Sequence, residues 1–308
     1  MSTRDRRMYE IFEQQPEIRS FLPDVTISSN RCIGIEVELE NAHSLFDEAY
    51  KYWRVIPDDS LRNSGAELVL RQPLAGNDLK KALHELSGVF YNHPEVNASE
   101  RTSVHVHVDA RDLTVNQVGN VLTTYIAAES ALYKLGGKNR YDNIYCPGVS
   151  AATEQMPVMR KIVRPRNTTD VIRACNEWCK YTGINLRSII ERGSIEFRAH
   201  EGTTSVTRIR EWVNVLLTMF RYAENVENPK QVGTHASLGA SAFAERVFRQ
   251  KANVVLEDGV YERYSHNNYI NVIDLLREAK EYKPEPAKDV TATTSDIESI
   301  LAELDNFI

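Results

Sequence analysis

The chain has 308 residues, 42% of them hydrophobic and 26% charged, with a formal net charge of −6. This composition belongs to soluble globular proteins and excludes a wholly disordered chain. The acidic balance argues against general affinity for nucleic acid or anionic lipid. No stretch approaches the roughly 18 apolar residues of a membrane span, and the opening MSTRDRRMYE has no hydrophobic signal core. The expected location is cytoplasmic, without a membrane partner. Cys32, Cys146, Cys175 and Cys179 show neither CxxC spacing nor the density of a disulfide scaffold. Cys175 and Cys179, one helical turn apart, read as reduced thiols.

Residues 1–28 form a polar entry segment, closed by Pro23 and a Ser-Ser-Asn cluster. Two strand patterns lie between Arg31 and Arg71, joined by a stretch containing Pro57, Asp58, Asp59 and Ser60. Leu79, Leu83, Leu86 and Phe90 then follow at helical spacing behind an expected cap at Asn77 or Asp78. A third strand, Val104 to Val108, leads to a long core helix that the Gly136-Gly137 pair ends. After the aromatic-rich KNRYDNIYCPG comes a basic run with Arg160, Lys161, Arg164 and Arg166, either a lid over an anionic substrate or a solvated face. The cap NTTD opens a short helix near Val171. A fourth strand around Ser194 to Gly202 precedes an amphipathic helix through Ile209, Trp212, Leu216 and Phe220. From Pro229 smaller helices are expected, then the linker YKPEPAKDVTATT and a last helix opened by the capping box Ser295 to Glu298. The division predicted is 1–28, 29–228 as the catalytic body and 229–308 as a C-terminal helical region.

Side chains two apart on a strand share a face. GIEVELE places Ile33, Ile35, Val37 and Leu39 on one side and Glu36, Glu38 and Glu40 on the other. SVHVHVD sets Val104, Val106 and Val108 against His105, His107 and Asp109. SIEFRAHEG sets Ile195, Phe197 and Ala199 against Glu196, Arg198 and His200, and GAELVL opposes Glu67 to Ala66 and Leu68. On one sheet these words make a face of carboxylates and imidazoles that repels itself. A divalent cation, or a solvent-filled cleft, relieves the repulsion. Carboxylate donors favour Mg²⁺ or Mn²⁺, and histidine shifts the preference toward Mn²⁺ or Zn²⁺. Arg198, a cation among acidic groups, points to a bound phosphate.

The ordered set GIEVELE, DDSL with GAELVLRQPL, SVHVHVD, NRYDNIY, INLRS and SIEFRAHEGT resembles the amidoligase family of carboxylate-amine ligases, over roughly Arg31 to Tyr222. The resemblance implies an α+β fold of the glutamine synthetase-like type, a curved antiparallel sheet with helices on its apolar face. Its concave face would carry ATP and two or more divalent cations, Mg²⁺ or Mn²⁺. By the same resemblance Glu36, Glu38, Glu67, His107 and Glu196 are metal ligands, and Arg198 holds the transferring γ-phosphate. His105 orients substrate or nucleotide, and Arg140 contacts ATP or the substrate carboxylate. Asp58 or Asp59 with Ser60 lies at the cleft rim, and Ser103 stands where the family often has glycine. Asn185 and His200 are further candidates for lining the cleft.

The implied chemistry is amide formation through an acyl phosphate, with Glu201 or Asp109 taking the amine's proton. The expected substrates are a small-molecule or peptide carboxylate and an amine. A homo-oligomer or a protein partner would engage the C-terminal helices. Two other readings stay open: a metal-dependent hydrolase built on HxH, and a noncatalytic nucleotide-binding scaffold.

Overall fold

The computed structural model describes residues 2–14, 29, 31–137, 140, 143, 146–149, 152–256, 267–268 and 270–277. The expected linker and terminal helix at Ser295 lie outside the described residues, as does most of the entry segment. Six strands form one antiparallel sheet: β1 (Ile33–Leu39), β2 (Trp53–Pro57), β3 (Ala66–Leu70), β4 (Ser103–Asp109), β5 (Ile184–Asn185) and β6 (Ser194–Glu201), in the order β2-β3-β1-β4-β6-β5. β2 and β5 are absent from the sequence expectation. β5 is too short to show a period, and β2, WRVIP, places one buried residue among partly exposed ones.

The α-helices among the described residues include α1 (Met8–Ile11), α2 (Gly76–Asn92), α3 (Val115–Gly136), α4 (Met156–Val163), α5 (Thr168–Asn176), α6 (Ser188–Arg192), α7 (Val206–Asn225), α8 (Pro229–Ala236), α9 (Ala240–Phe248) and α10 (Ala252–Leu256). α2 starts after Ala75 without a side-chain cap, so neither Asn77 nor Asp78 takes that position. α3 starts at Thr114, whose hydroxyl accepts from Gln117 in a reciprocal capping box. α5 starts at Asn167, whose side chain accepts from the Asp170 amide. No helix among the described residues is long and apolar enough to cross a membrane.

The apolar sheet face, with Ile35, Val37, Val104, Val106, Leu68 and Phe197, is buried. α3 packs on β6 and α7, and α7 packs on β4 and α2. Phe197 meets Phe220 edge-on at 5.9 Å and Tyr125 at the same centroid distance. α8 packs on α3 and α9 on α7. Asn268 donates to the Ser130 hydroxyl at 2.7 Å, tying residues near 270 to α3. The other sheet face carries the charged residues.

Between the pairs Val104↔His200 and Val106↔Phe197, β4 has one residue and β6 has two. This bulge at Arg198–Ala199 reverses the alternation beyond it. His200 therefore falls on the face of Val104, buried 5.5 Å from the Trp212 ring of α7. The sequence expectation of His200 beside Glu196 and Arg198 is corrected here, because alternation along one strand does not register an inserted residue.

Candidate active site

Antiparallel pairing sets the polar face in register. Glu36 stands opposite His105, Glu38 opposite Glu67, and His107 opposite Glu196. Two groups of potential metal ligands result. Glu36, His107 and Glu196 form one, and Glu38, Asp58 and Glu67 form the other; within each, one ligand atom per residue lies within 4.8 Å of the rest. Oxygen donors with a single imidazole are the chemistry that Mg²⁺ and Mn²⁺ accept. All five residues expected to bind metal fall into these groups. Asp58, expected only at the rim, joins them through the β2–β3 turn. The Ser60 amide donates to Asp58 Oδ1 at 2.9 Å and fixes its carboxylate, while the Ser60 side chain stays in an exposed turn.

His105 lies between the groups. Its Nδ1 is 3.3 Å from Glu36 Oε2 and 3.6 Å from Glu196 Oε1, and its Nε2 is 2.8 Å from the Ser103 hydroxyl. Ser103 donates to Glu38 Oε2 at 2.6 Å and so connects imidazole to carboxylate. His107 Nδ1 is held 3.1 Å from the Ser194 hydroxyl and 3.2 Å from that of Ser188, leaving Nε2 toward Glu36 at 3.3 Å.

Glu196 has a partner on each oxygen. Asn185 donates to Oε2 at 2.6 Å, and Arg198 donates to Oε1 at 2.7 Å. Arg198 Nε is buried with no hydrogen-bond partner among the described residues. Arg140, also buried, donates to the Arg198 carbonyl at 2.8 Å and so meets the site at that backbone. Burial raises the Glu196 carboxyl, but the charges of His105, His107 and Arg198 overcome it and hold it below the usual carboxylate range. Glu36 behaves alike: burial works upward, and hydrogen bonds and charge from His105 and His107 bring it far down. Glu67 has a weaker offset, the charge of Arg192 alone. Burial and the charges of Glu36, Glu38 and Asp58 push it up to about 7.

A cleft of about 420 Å³ opens on this face, lined among others by Glu36, Glu67, His107, Asp109 and Arg192. Asp109 enters it with one oxygen 2.9 Å from Arg111 Nε. Glu201 stands apart beside Gly137, accepting from Arg208 at 2.9 Å. Arg192, unmarked in the sequence because it ends the short helix α6, bonds Glu36 at 2.5 Å and lies 3.1 Å from His107 Nε2. In the basic run, Lys161 bonds Glu177 at 2.5 Å and Arg166 bonds Asp170 at 2.9 Å.

The family model described as "Putative amidoligase enzyme" matches residues 22–220. The chain belongs to the amidoligase family. The match contains the whole sheet and every residue of the two ligand groups, whereas α8, α9 and α10 lie beyond it. No curated protein matches the chain. Membership in the amidoligase family marks the protein, at that level, as a ligase-type enzyme.

Proposed function

We propose that the protein is an ATP-dependent carboxylate-amine ligase, built on a glutamine synthetase-like fold, that forms an amide through an acyl phosphate. The observation that carries this reading is the pair of ligand groups on one sheet face, with the Arg198 guanidinium against Glu196 and its buried Nε in reserve. A phosphate oxygen is a natural acceptor for such a donor.

Glu36, His107 and Glu196 would hold one divalent cation, and Glu38, Asp58 and Glu67 a second. Such cations, Mg²⁺ or Mn²⁺, supply charge neutralisation for nucleotide phosphates. Two cations would also remove the repulsion recorded in Glu67. In the first step a carboxylate oxygen of the acid attacks the γ-phosphorus of ATP, the bond to the bridging oxygen breaks, and ADP leaves. Arg198 stabilises negative charge on the moving phosphoryl group. In the second step the amine attacks the acyl carbon, the carbon–oxygen bond breaks, and inorganic phosphate leaves. Asp109, which lines the cleft, is better placed than Glu201 to receive the amine's proton. His105 orients the groups around it, and Asn185 keeps Glu196 in place.

The test is ADP release with Mg²⁺ in the presence of pools of carboxylic acids and amines, comparing the native chain with Glu38→Ala and Arg198→Ala. Acid- and amine-stimulated ADP formation, lost in both variants, is the expected result. Metal-dependent hydrolysis without nucleotide, or no stimulated ADP formation from any pool, would overturn it.

A further inference from the structure

Four arginines line the cleft: Arg54, Arg71, Arg111 and Arg192. Two of them meet carboxylates of the same cleft, Arg111 at Asp109 and Arg192 at Glu36. The other two differ. Arg54 makes no hydrogen bond or ion pair with any described residue, and Arg71 uses only Nε, donating to the Tyr50 carbonyl at 3.1 Å. Arg54 is on β2, and Arg71 follows the end of β3, its amide donating to the Tyr52 carbonyl at 2.9 Å. Arg54 pairs with Val69, and Arg71 lies two residues beyond Val69, so they are diagonal neighbours across the β2–β3 ladder. Diagonal neighbours lie about 7–8 Å apart, within reach of one shared oxyanion, and the guanidinium fork suits a planar or tetrahedral one.

The floor between these arginines and the ligand groups carries little polarity. Gly34, Ile56, Val69 and Pro73 line it. A Cβ at Gly34 would press on His107 Cβ at 3.3 Å, so the floor is kept low beside the ligand. Arg71 lies four residues past Glu67, roughly 13 Å along the strand at about 3.3 Å per residue. Glu67 and Arg71 both line the cleft, so this separation is on the scale of a small extended molecule.

We propose that Arg54 and Arg71 bind a second anionic group of the acid substrate. The substrate class is then a short acid with an oxyanion at each end, one carboxylate activated beside Glu36 and Glu67 and the other group, carboxylate or phosphate, held by the two guanidiniums. The inference rests on the ligase reading for the identity of the activated end, and on the cleft alone for the anion site.

Calorimetric titration of the full chain with Mg²⁺ tests it without turnover. The probes are glutarate, valerate with the same carbon count and one carboxylate, and 4-phosphonobutyrate. Glutarate or the phosphonate should bind about tenfold more tightly than valerate, about 1.4 kcal/mol, and the tighter of the two identifies the preferred oxyanion. The Arg54→Gln/Arg71→Gln double variant, with its unfolding temperature checked against the native chain, should bring all three within about twofold. Equal binding of valerate and both dianions overturns the proposal, as does no binding of any probe or a difference that survives the double substitution. Loss of ATP binding in the double variant, with the dianion preference intact, would instead assign these arginines to the nucleotide. If no acid supports ADP formation while the preference is present, the ligase reading fails and the anion site stands.

Discussion

Glu38 and Glu67 face each other directly across the β1–β3 ladder. Opposed residues of an antiparallel pair lie about 4.5–5.5 Å apart at Cβ, and like charges there are destabilising. Asp58 adds a third carboxylate, and Glu67 is pushed up to about 7 by burial, Glu36, Glu38 and Asp58 in that order. The folded chain thus keeps this proton longer than the unfolded chain, whose carboxyl titrates near 4.5. Its share of stability is complete below that value and is lost as pH rises through about 7.

Glu67→Gln removes the repulsion. Without divalent metal it should raise the unfolding temperature at pH 8 by roughly 2–4 °C, for a gain of up to about 1 kcal/mol, and leave it unchanged at pH 5. The same substitution should reduce the stabilisation that Mg²⁺ or Mn²⁺ confers on the native chain. Thermal unfolding at the two pH values, with and without metal, checks both. Equal shifts at pH 5 and pH 8 would count against the charge argument.

Arg198→Ala should lower the rate of ADP formation by about 100- to 1000-fold, the range for one donor at developing charge. Arg198→Lys should recover part of this, since it restores charge but not the fork. Arg198→Ala also leaves Glu196 with Asn185 as its remaining side-chain donor, so a lowered unfolding temperature accompanies it. Steady-state kinetics beside thermal unfolding separate the two effects, because the Lys variant should regain stability more fully than rate.

His200 contributes to acid sensitivity between pH 6.5 and 4. Burial, the largest cause, lowers it to about 4 from an ordinary 6.5, and its Nδ1–H donates to the Glu201 carbonyl at 2.6 Å. The unfolded chain takes up this proton first, so stability falls as pH drops from 6.5 toward 4. At about 1.36 kcal/mol per unit the full effect is about 3 kcal/mol. His200→Phe keeps a ring on Trp212 but loses the hydrogen bond, so it should cost about 1 kcal/mol at pH 8 and flatten the acid limb. Urea unfolding from pH 4 to pH 8 reads both, and an unchanged acid limb would remove His200 from this role.

Gly136 allows the end of α3 to rest on the β6 bulge, where an added Cβ would overlap the Ala199 carbonyl oxygen. Gly136→Ala should therefore destabilise the fold by about 1–3 kcal/mol and disturb Arg198, the neighbour of Ala199. Gly88, in α2, has nothing within 4 Å of the corresponding position. Gly88→Ala should stabilise by up to about 1 kcal/mol. Opposite shifts in unfolding temperature are the expected outcome, and a neutral Gly136→Ala would show that the bulge moves freely.

The strand words and helical faces were legible because they are local. Ile33, Ile35, Val37 and Leu39 alternate with glutamates, and Ile209, Trp212, Leu216 and Phe220 recur at helical spacing, whatever the rest of the chain does. Their charge was legible too: ExE and HxH announce a self-repelling face that a cation or a solvent-filled cleft would relieve. Asp58, Ser103 and Arg192 were not identified as parts of the cluster, because a turn residue, a strand end and the last residue of a short helix carry no periodic signal. The bulge at Arg198–Ala199 was equally silent, and it alone moved His200 to the core.

The amino-acid sequence by itself determined which residues are apolar, which are ionisable, and how each strand divides its two faces, since backbone geometry imposes a period of two on any strand. Only the tertiary structure decided which strands are neighbours. The order β2-β3-β1-β4-β6-β5 brings Asp58 to Glu38 and Glu67, and Glu196 to His107. Such meetings depend on hydrogen-bonded register between segments far apart in the chain, which no local pattern encodes.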